Sequence, residues 1–223
     1  MYTISSQPFS LSILNRIVSE QLKIKLSEEI KENIINCRKY LDKKITTSLD
    51  PIYGINTGFG SLCDVKIDSI NLVKLQENLV RSHACGTGDL VPESIVKMML
   101  LLKIKSLSFG YSGVQLETVE RLVAFYNHDI LPIVYTQGSL GASGDLAPLA
   151  HLALPLLGEG MVCYNGTKLP TSEVFDIFGW QSISLQSKEG LALLNGTQFM
   201  AAYGIHCLLK SYKLSYMADL ISS

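Results

Sequence analysis

Apolar residues recur at helical spacing in six segments of this 223-residue chain, and this periodicity constrains the fold more than any other feature. In chain order the segments begin near Ser27, Asp68, Pro92, Leu116, Asp145 and Gly190. Ser27 is typical of an N-cap, because Glu28 and Glu29 follow it and favour the positive end of the helix dipole. Pro155 is expected to kink or end the fifth helix. The last pattern continues to the C-terminus without a stop signal, and the whole predicts a mainly helical protein.

Strand signals are few. The segment from Met161 to Leu169 holds Asn165 and Gly166 between β-prone residues, which predicts a β-hairpin near 161–169. Strands and helices do not alternate, so a parallel sheet with crossover helices is not predicted. Charged residues are scarce between Leu131 and Ser187, which is typical of a core or a subunit interface.

Composition excludes several classes of protein. The chain is 47% hydrophobic and 17% charged, unlike a disordered chain. Its net charge of -1 gives no basic excess for nucleic acid or an anionic membrane. No apolar run reaches the roughly 20 residues of a membrane-spanning helix, and the N-terminus lacks the features of a signal peptide. Five widely spaced cysteines without a C-x-x-C pair indicate reduced thiols and a cytoplasmic location.

The histidines do not predict a metal site. His83, His128, His151 and His206 are scattered, and no H-E-x-x-H or close Cys/His cluster exists in the sequence. His151 lies in an apolar helical pattern and is interpreted as a hydrogen-bonded core histidine. His128 is expected to end a helix, where a cation suits the dipole.

Three glycine clusters interrupt the helical pattern, at 53–60, 86–88 and 138–145. None is a phosphate-binding loop or a G-x-G-x-x-G motif, and Gly141-Ala142-Ser143-Gly144 is not the G-x-S-x-G of a nucleophile elbow. The third cluster consists almost entirely of glycine, serine and alanine. From the residues alone it is either a tight turn into a helix N-terminus near Asp145 or a backbone that can be compressed.

Three segments together resemble the motifs of the aromatic amino-acid ammonia-lyases, in order and spacing across nearly the whole chain: 53–60, 138–151 and 188–197. The resemblance implies a small N-terminal α+β region at 1–110. It implies that 111–223 form the first part of a long helical bundle, as in ammonia-lyases and fumarase-like proteins. Family members run to more than twice this length, so the final helix is expected to be a bundle helix cut short.

The resemblance also implies a cofactor made from the chain itself. By the family pattern the Gly144 nitrogen attacks the Ala142 carbonyl, and two waters are lost, one of them from Ser143. The product is 4-methylidene-imidazol-5-one (MIO), and no external cofactor is implied. The ring would supply an electrophile, which no ordinary side chain provides.

Further site residues follow from the same resemblance. Tyr53 matches the catalytic base and Asn195 a residue near the cofactor and substrate. From the residues alone, Tyr53 is a packing aromatic and Asn195 a helix-interior asparagine. His83, preceded by Ser82, matches members that act on L-histidine and form trans-urocanate and ammonia. Some tyrosine aminomutases also carry this Ser-His pair, so they remain an alternative.

The family builds its active site from several subunits of a homotetramer. Its second half supplies an arginine, a second tyrosine, an aromatic residue and a glutamate, and none of these can be placed here. The 223-residue chain is therefore expected to be inactive alone. A non-catalytic truncated subunit that only associates with other chains is a further alternative.

Overall fold

The computed structural model describes residues 1–47, 50–58, 67–140 and 144–223, with the backbone only for Ser69 and Ile70. The helices are α1 (Leu11–Ser19), α2 (Glu28–Thr47), α3 (Ser69–His83), α4 (Glu93–Leu107), α5 (Leu116–Asn127), α6 (Leu146–Ala153), α7 (Thr171–Phe178), α8 (Glu189–Leu194) and α9 (Gln198–Ser222). The strands are β1 (Tyr2–Ile4), β2 (Ile24–Leu26), β3 (Thr87–Leu90), β4 (Leu131–Pro132), β5 (Tyr135–Gln137), β6 (Met161–Tyr164) and β7 (Thr167–Pro170). The prediction of a mainly helical fold is confirmed.

Local signals placed several helix ends correctly. The Ile30 N–H donates to the Ser27 hydroxyl at 3.3 Å, so Ser27 caps α2 as predicted. Pro155 follows the end of α6 and lies in a 3₁₀ turn over Leu154–Leu157. Pro92 is the N-cap of α4 rather than its first helical residue.

The sheets are small. The predicted hairpin is confirmed as β6 and β7, joined by Asn165 and Gly166 with φ of +51° and +72°, and β4 pairs with β6 as a third strand. The sequence did not predict the antiparallel pair of β3 and β5. It also did not predict the parallel pair of β1 and β2, which α1 connects. Strands of three or four residues carry too little alternation to be recognised.

The last predicted helix is wrong as a single element. Asn195, Gly196 and Thr197 separate α8 from α9, and Gly196 has a φ of +139° that an L-residue rarely adopts. Leucine periodicity continues on both sides of this break, which is why the pattern predicted one helix from about Gly190.

Helix α4 forms the centre of the core. From Ile95 to Leu107 most of its residues are buried, with Met99, Leu100 and Ile104 fully enclosed, as expected of a helix that is apolar on most faces. The first turns of α9 pack against α4 through Phe199 and Ala202. The rest of α9 is exposed from residue 211 to 222. The division of the chain at residue 110 stays a prediction.

No helix in the part of the chain that the structure describes is long and apolar enough to cross a membrane. The cysteines described there carry free thiols: Cys37, Cys85, Cys163 and Cys207.

Candidate functional site

The third glycine cluster contacts the turn between α8 and α9. Gly144, with a φ of +92°, forms a parallel bridge with Gly196, and the Asp145 N–H donates to the Gly196 carbonyl at 2.9 Å. Leu140 and Gly144 also form an antiparallel bridge. The two ends of the loop are therefore paired across only three residues. Those residues, which include the predicted Ala142 and Ser143, lie outside the described part of the chain.

Gly144 has no room for a side chain. A Cβ there would lie 2.4 Å from the Gly196 carbonyl oxygen, closer than any real contact. The backbone of the loop therefore approaches the Asn195–Gly196 turn as only glycine allows.

Asp145 links this loop to the start of α9. Its carboxylate is fully buried, and one oxygen accepts the Ser139 hydroxyl at 2.6 Å. The other accepts the N–H groups of Phe199 at 2.9 Å and Met200 at 3.1 Å, in the first turn of α9. The backbone of Asp145 begins α6, as predicted, but its side chain caps α9 instead. Sequence reasoning missed this role because the partners are more than fifty residues away.

The second glycine cluster lies against the third. A Cβ on Gly138 would lie 3.3 Å from the Gly86 Cα, and β3 pairs Thr87 with Gln137. The Gly86 N–H donates to Nε2 of His151 at 3.0 Å, which leaves the proton of the neutral ring on Nδ1. Burial lowers the pKa of His151, which favours this neutral form. The predicted hydrogen bond is present, but His151 is half-buried rather than a core residue.

His83 ends α3, immediately before this second cluster. Its Nδ1 donates to the Leu79 carbonyl at 2.8 Å, and the Ser82 hydroxyl lies 3.2 Å from the same nitrogen. Because Nδ1 is engaged, Nε2 is the ring atom left for a ligand, as an acceptor in the neutral form.

Tyr53 lies on a separate turn, which is stabilised by hydrogen bonds between its own residues. The Ile52 N–H donates to Oδ1 of Asn56 at 2.6 Å, and the Gly54 N–H donates to the Thr57 hydroxyl at 3.3 Å. Asn56 and Thr57 are buried, whereas Tyr53 is 55% exposed.

Asn195 is the C-cap of α8 rather than a helix-interior residue. Its backbone is extended, with φ of -82° and ψ of 137°, and its side-chain amide donates to the Leu191 carbonyl at 2.9 Å. Its own carbonyl accepts from Nζ of Lys103 at 2.8 Å, and the same ammonium donates to the Ala192 carbonyl at 2.9 Å. Lys103 was not predicted to lie here. Its only sequence signal is a charge inside an apolar helix.

Burial lowers the pKa of Lys103 to about 7, which couples stability to pH. Between pH 7 and 10.5 the unfolded chain keeps a proton that the folded chain has released, so the contribution of Lys103 to the free energy of unfolding rises with pH. We expect the difference between wild type and Lys103→Met to move in favour of wild type by up to about 1.4 kcal/mol per pH unit in this window. Urea unfolding at about pH 7.5 and about pH 9 measures the difference, and a pH-independent value would contradict the shift.

Metal ligands do not gather at this site. Among the described residues, no group of three or more histidine, cysteine, aspartate or glutamate side chains is arranged to hold a metal ion. Three parts of the chain lie together in the structure: residues 138–140 and 144–145 of the third glycine cluster, the turn at Asn195 and the segment after His83.

This arrangement is matched in known proteins. The aromatic amino acid lyase family matches residues 9–223, and the chain belongs to that family. Histidine ammonia-lyase from Geobacillus thermodenitrificans is 44% identical over all 223 residues, which cover 44% of its length. The chain therefore spans less than half the length of such relatives.

Solved structures confirm the fold. Histidine ammonia-lyase from Trypanosoma cruzi has a TM-score of 0.87 at 34% identity, covering 98% of this chain and 42% of that one. Tyrosine aminomutase from Streptomyces globisporus has a TM-score of 0.83 at 32% identity, covering 92% of this chain and 38% of that one. The mainly helical fold of these lyases is the one predicted from the motifs.

Proposed function

We propose that the protein containing this chain is a cytoplasmic histidine ammonia-lyase, which converts L-histidine to trans-urocanate and ammonia in histidine degradation. The observation that carries the proposal is the contact of Gly144 with Gly196, which brings the glycine loop against Asn195. The 44% identity to a histidine ammonia-lyase over the whole chain supports the choice of substrate.

Ala142, Ser143 and Gly144 would form the MIO group of this enzyme. Once formed, it supplies an electrophilic carbon for the substrate amine. Gly144 contributes the backbone nitrogen. The next residue, Asp145, binds the first turn of α9 through its carboxylate. Loss of two waters from the intact mass of the protein would support this chemistry, and a full mass would count against it.

Three other side chains of the chain would then have separate roles in catalysis and substrate binding. Tyr53 removes the β-proton of the substrate as the general base. The Asn195 amide nitrogen donates to the Leu191 carbonyl, so its Oδ1 would be the atom that accepts a hydrogen bond from the substrate. His83 offers Nε2 to the substrate imidazole.

The direct test uses the protein translated from the complete reading frame. Incubated with L-histidine, it should raise the ultraviolet absorbance as urocanate forms and release ammonia in equal amount. L-tyrosine is the comparison substrate, because the Ser82-His83 pair and the resemblance to a tyrosine aminomutase keep that alternative open. Formation of β-tyrosine without urocanate would favour the aminomutase, and turnover of neither substrate would refute both.

We also infer that the 223-residue chain needs other chain segments for activity and assembles as a tetramer in the whole protein. The exposed part of α9 supports this, because it presents a large apolar set to solvent: Tyr212, Leu214, Tyr216, Met217, Leu220 and Ile221. Purified alone, the chain should give no urocanate and should associate in light scattering. A monodisperse, active monomer would contradict both points.

The substrate assignment predicts the effect of His83→Leu in the whole protein. We expect kcat/KM for histidine to fall by about 100-fold, because leucine cannot make the hydrogen bond that His83 offers to the substrate imidazole. Intact mass serves as the internal control, since cyclisation does not need the imidazole. Unchanged histidine kinetics, or loss of the two-water deficit, would contradict this role.

A further inference from the structure

Lys103 is a buried lysine of the core. It lies in α4 among apolar residues, is 2% exposed, and donates from Nζ to the carbonyls of Ala192 and Asn195. Among the residues that the structure describes, no carboxylate forms an ion pair with it. A lysine enclosed without a counter-charge is costly, so its two hydrogen bonds must offset that cost.

The two acceptors are the carbonyl groups that end α8. The last carbonyls of a helix have no partner within it, and a positive charge there favours the helix dipole. Leu193 and Leu194 are buried beside them, whereas Asn195 is exposed, so Lys103 approaches this helix end from the core. On that side Lys103 supplies the donors that solvent supplies at an exposed helix end.

Asn195 is thereby held at two points. Lys103 binds its backbone carbonyl at 2.8 Å, and its side-chain amide donates to Leu191 at 2.9 Å. The next residue, Gly196, pairs with Gly144 and accepts the Asp145 N–H. A displacement of the α8 end would therefore move both the Asn195 amide and the partner of the glycine loop.

We propose that Lys103 is a positioning residue of the active site, which fixes the Asn195–Gly196 turn against Gly144 by binding the end of α8. The inference rests on the proposed function for its effect on catalysis. The contact itself does not depend on that function. A neutral lysine amine keeps two N–H groups, so both hydrogen bonds persist in either protonation state.

Lys105 provides a matched control on the same helix. It is also buried, and its Nζ donates to a backbone carbonyl, that of Ser5 at 2.6 Å. Lys103→Met and Lys105→Met therefore each remove one buried ammonium and its carbonyl contacts from α4. Only the first removes a contact with the Asn195 turn.

The test compares both variants, and Lys103→Arg, in the whole protein. We expect Lys103→Met to lower kcat by about 100-fold, as small misplacements of catalytic groups do, with a much smaller change in KM. Lys103→Arg, which keeps donors for two carbonyls, should recover most of kcat. Lys105→Met should keep kcat within about threefold. Equal loss in both methionine variants, or wild-type kcat in Lys103→Met, would overturn the proposal.

Hydrogen exchange supplies a readout that needs no activity. In Lys103→Met, amides of residues 191–200 should exchange faster than in wild type, whereas Lys105→Met should leave them unchanged. If wild type turns over neither histidine nor tyrosine, the proposed function fails, and exchange still decides whether Lys103 holds the turn. Unchanged exchange in Lys103→Met would overturn that contact.

If Lys103→Met does not fold, Lys103→Gln and Lys105→Gln replace the methionine pair. Glutamine keeps a polar end but is too short to reach both carbonyls. A fall in kcat and faster exchange at 191–200 in Lys103→Gln alone would support the proposal. Matching behaviour of the two glutamine variants would overturn it.

Discussion

Gly144→Ala in the whole protein is expected to abolish cyclisation of the Ala142–Ser143–Gly144 triplet. The new Cβ would lie 2.4 Å from the Gly196 carbonyl oxygen, at a φ of +92° that disfavours any L-residue. That oxygen cannot retreat without breaking its hydrogen bond from the Asp145 N–H. Intact mass should show no loss of two waters. Ammonia release should fall by at least about 10⁴-fold, as when an essential covalent group is removed.

Gly179→Ala is the matched control. Gly179 also has a positive φ, +65°, but a Cβ there would meet nothing within 4 Å. It therefore carries the backbone strain without the collision, and we expect a loss of only about 1 kcal/mol in stability, with the two-water deficit and kcat as in wild type. A Gly144→Ala protein that loses two waters and turns over like wild type would refute the assigned role of Gly144.

Asp145→Ala is expected to lower the free energy of unfolding by roughly 3–5 kcal/mol, through two uncapped N–H groups and one half-buried hydroxyl without its acceptor. The carboxylate is fully enclosed and receives Ser139, Phe199 and Met200. Urea unfolding measures the loss. The intact mass of the same sample should show a reduced cyclised fraction, because the loop is no longer tied to α9.

Ser139→Ala distinguishes the contributions of the two carboxylate oxygens of Asp145. It removes the hydroxyl donor at 2.6 Å but leaves the cap of α9, so it should cost about 1–2 kcal/mol. If Asp145→Ala is no more destabilising than Ser139→Ala, the cap contributes nothing measurable and the interpretation of Asp145 fails.

The sequence predicted those elements whose signals are local. Helical periodicity found α2 to α6, and the Asn165-Gly166 pair found the hairpin. The β1–β2 pair was missed because each strand has three residues. The break at Asn195 was missed because the apolar period continues through it, and tertiary pairing of Gly196 with Gly144 overrides that period.

The residues of the candidate site were predicted, but the contacts that hold them in place were not. The small residues of the third glycine cluster indicate a close backbone approach, and the resemblance to a family supplied roles for Tyr53, His83 and Asn195. The groups that hold the site are remote in sequence from what they bind. Lys103 reaches Asn195, and Asp145 reaches Phe199 and Met200. No local pattern predicts such pairs.

The cap of α9 by Asp145 has a consequence for synthesis of the protein on the ribosome. The loop at 138–145 emerges well before the N–H groups of Phe199 and Met200 that its carboxylate binds. A nascent chain ending before residue 200 therefore lacks the anchor for this loop. The order of translation thus delays this anchor until the first turn of α9 has been made.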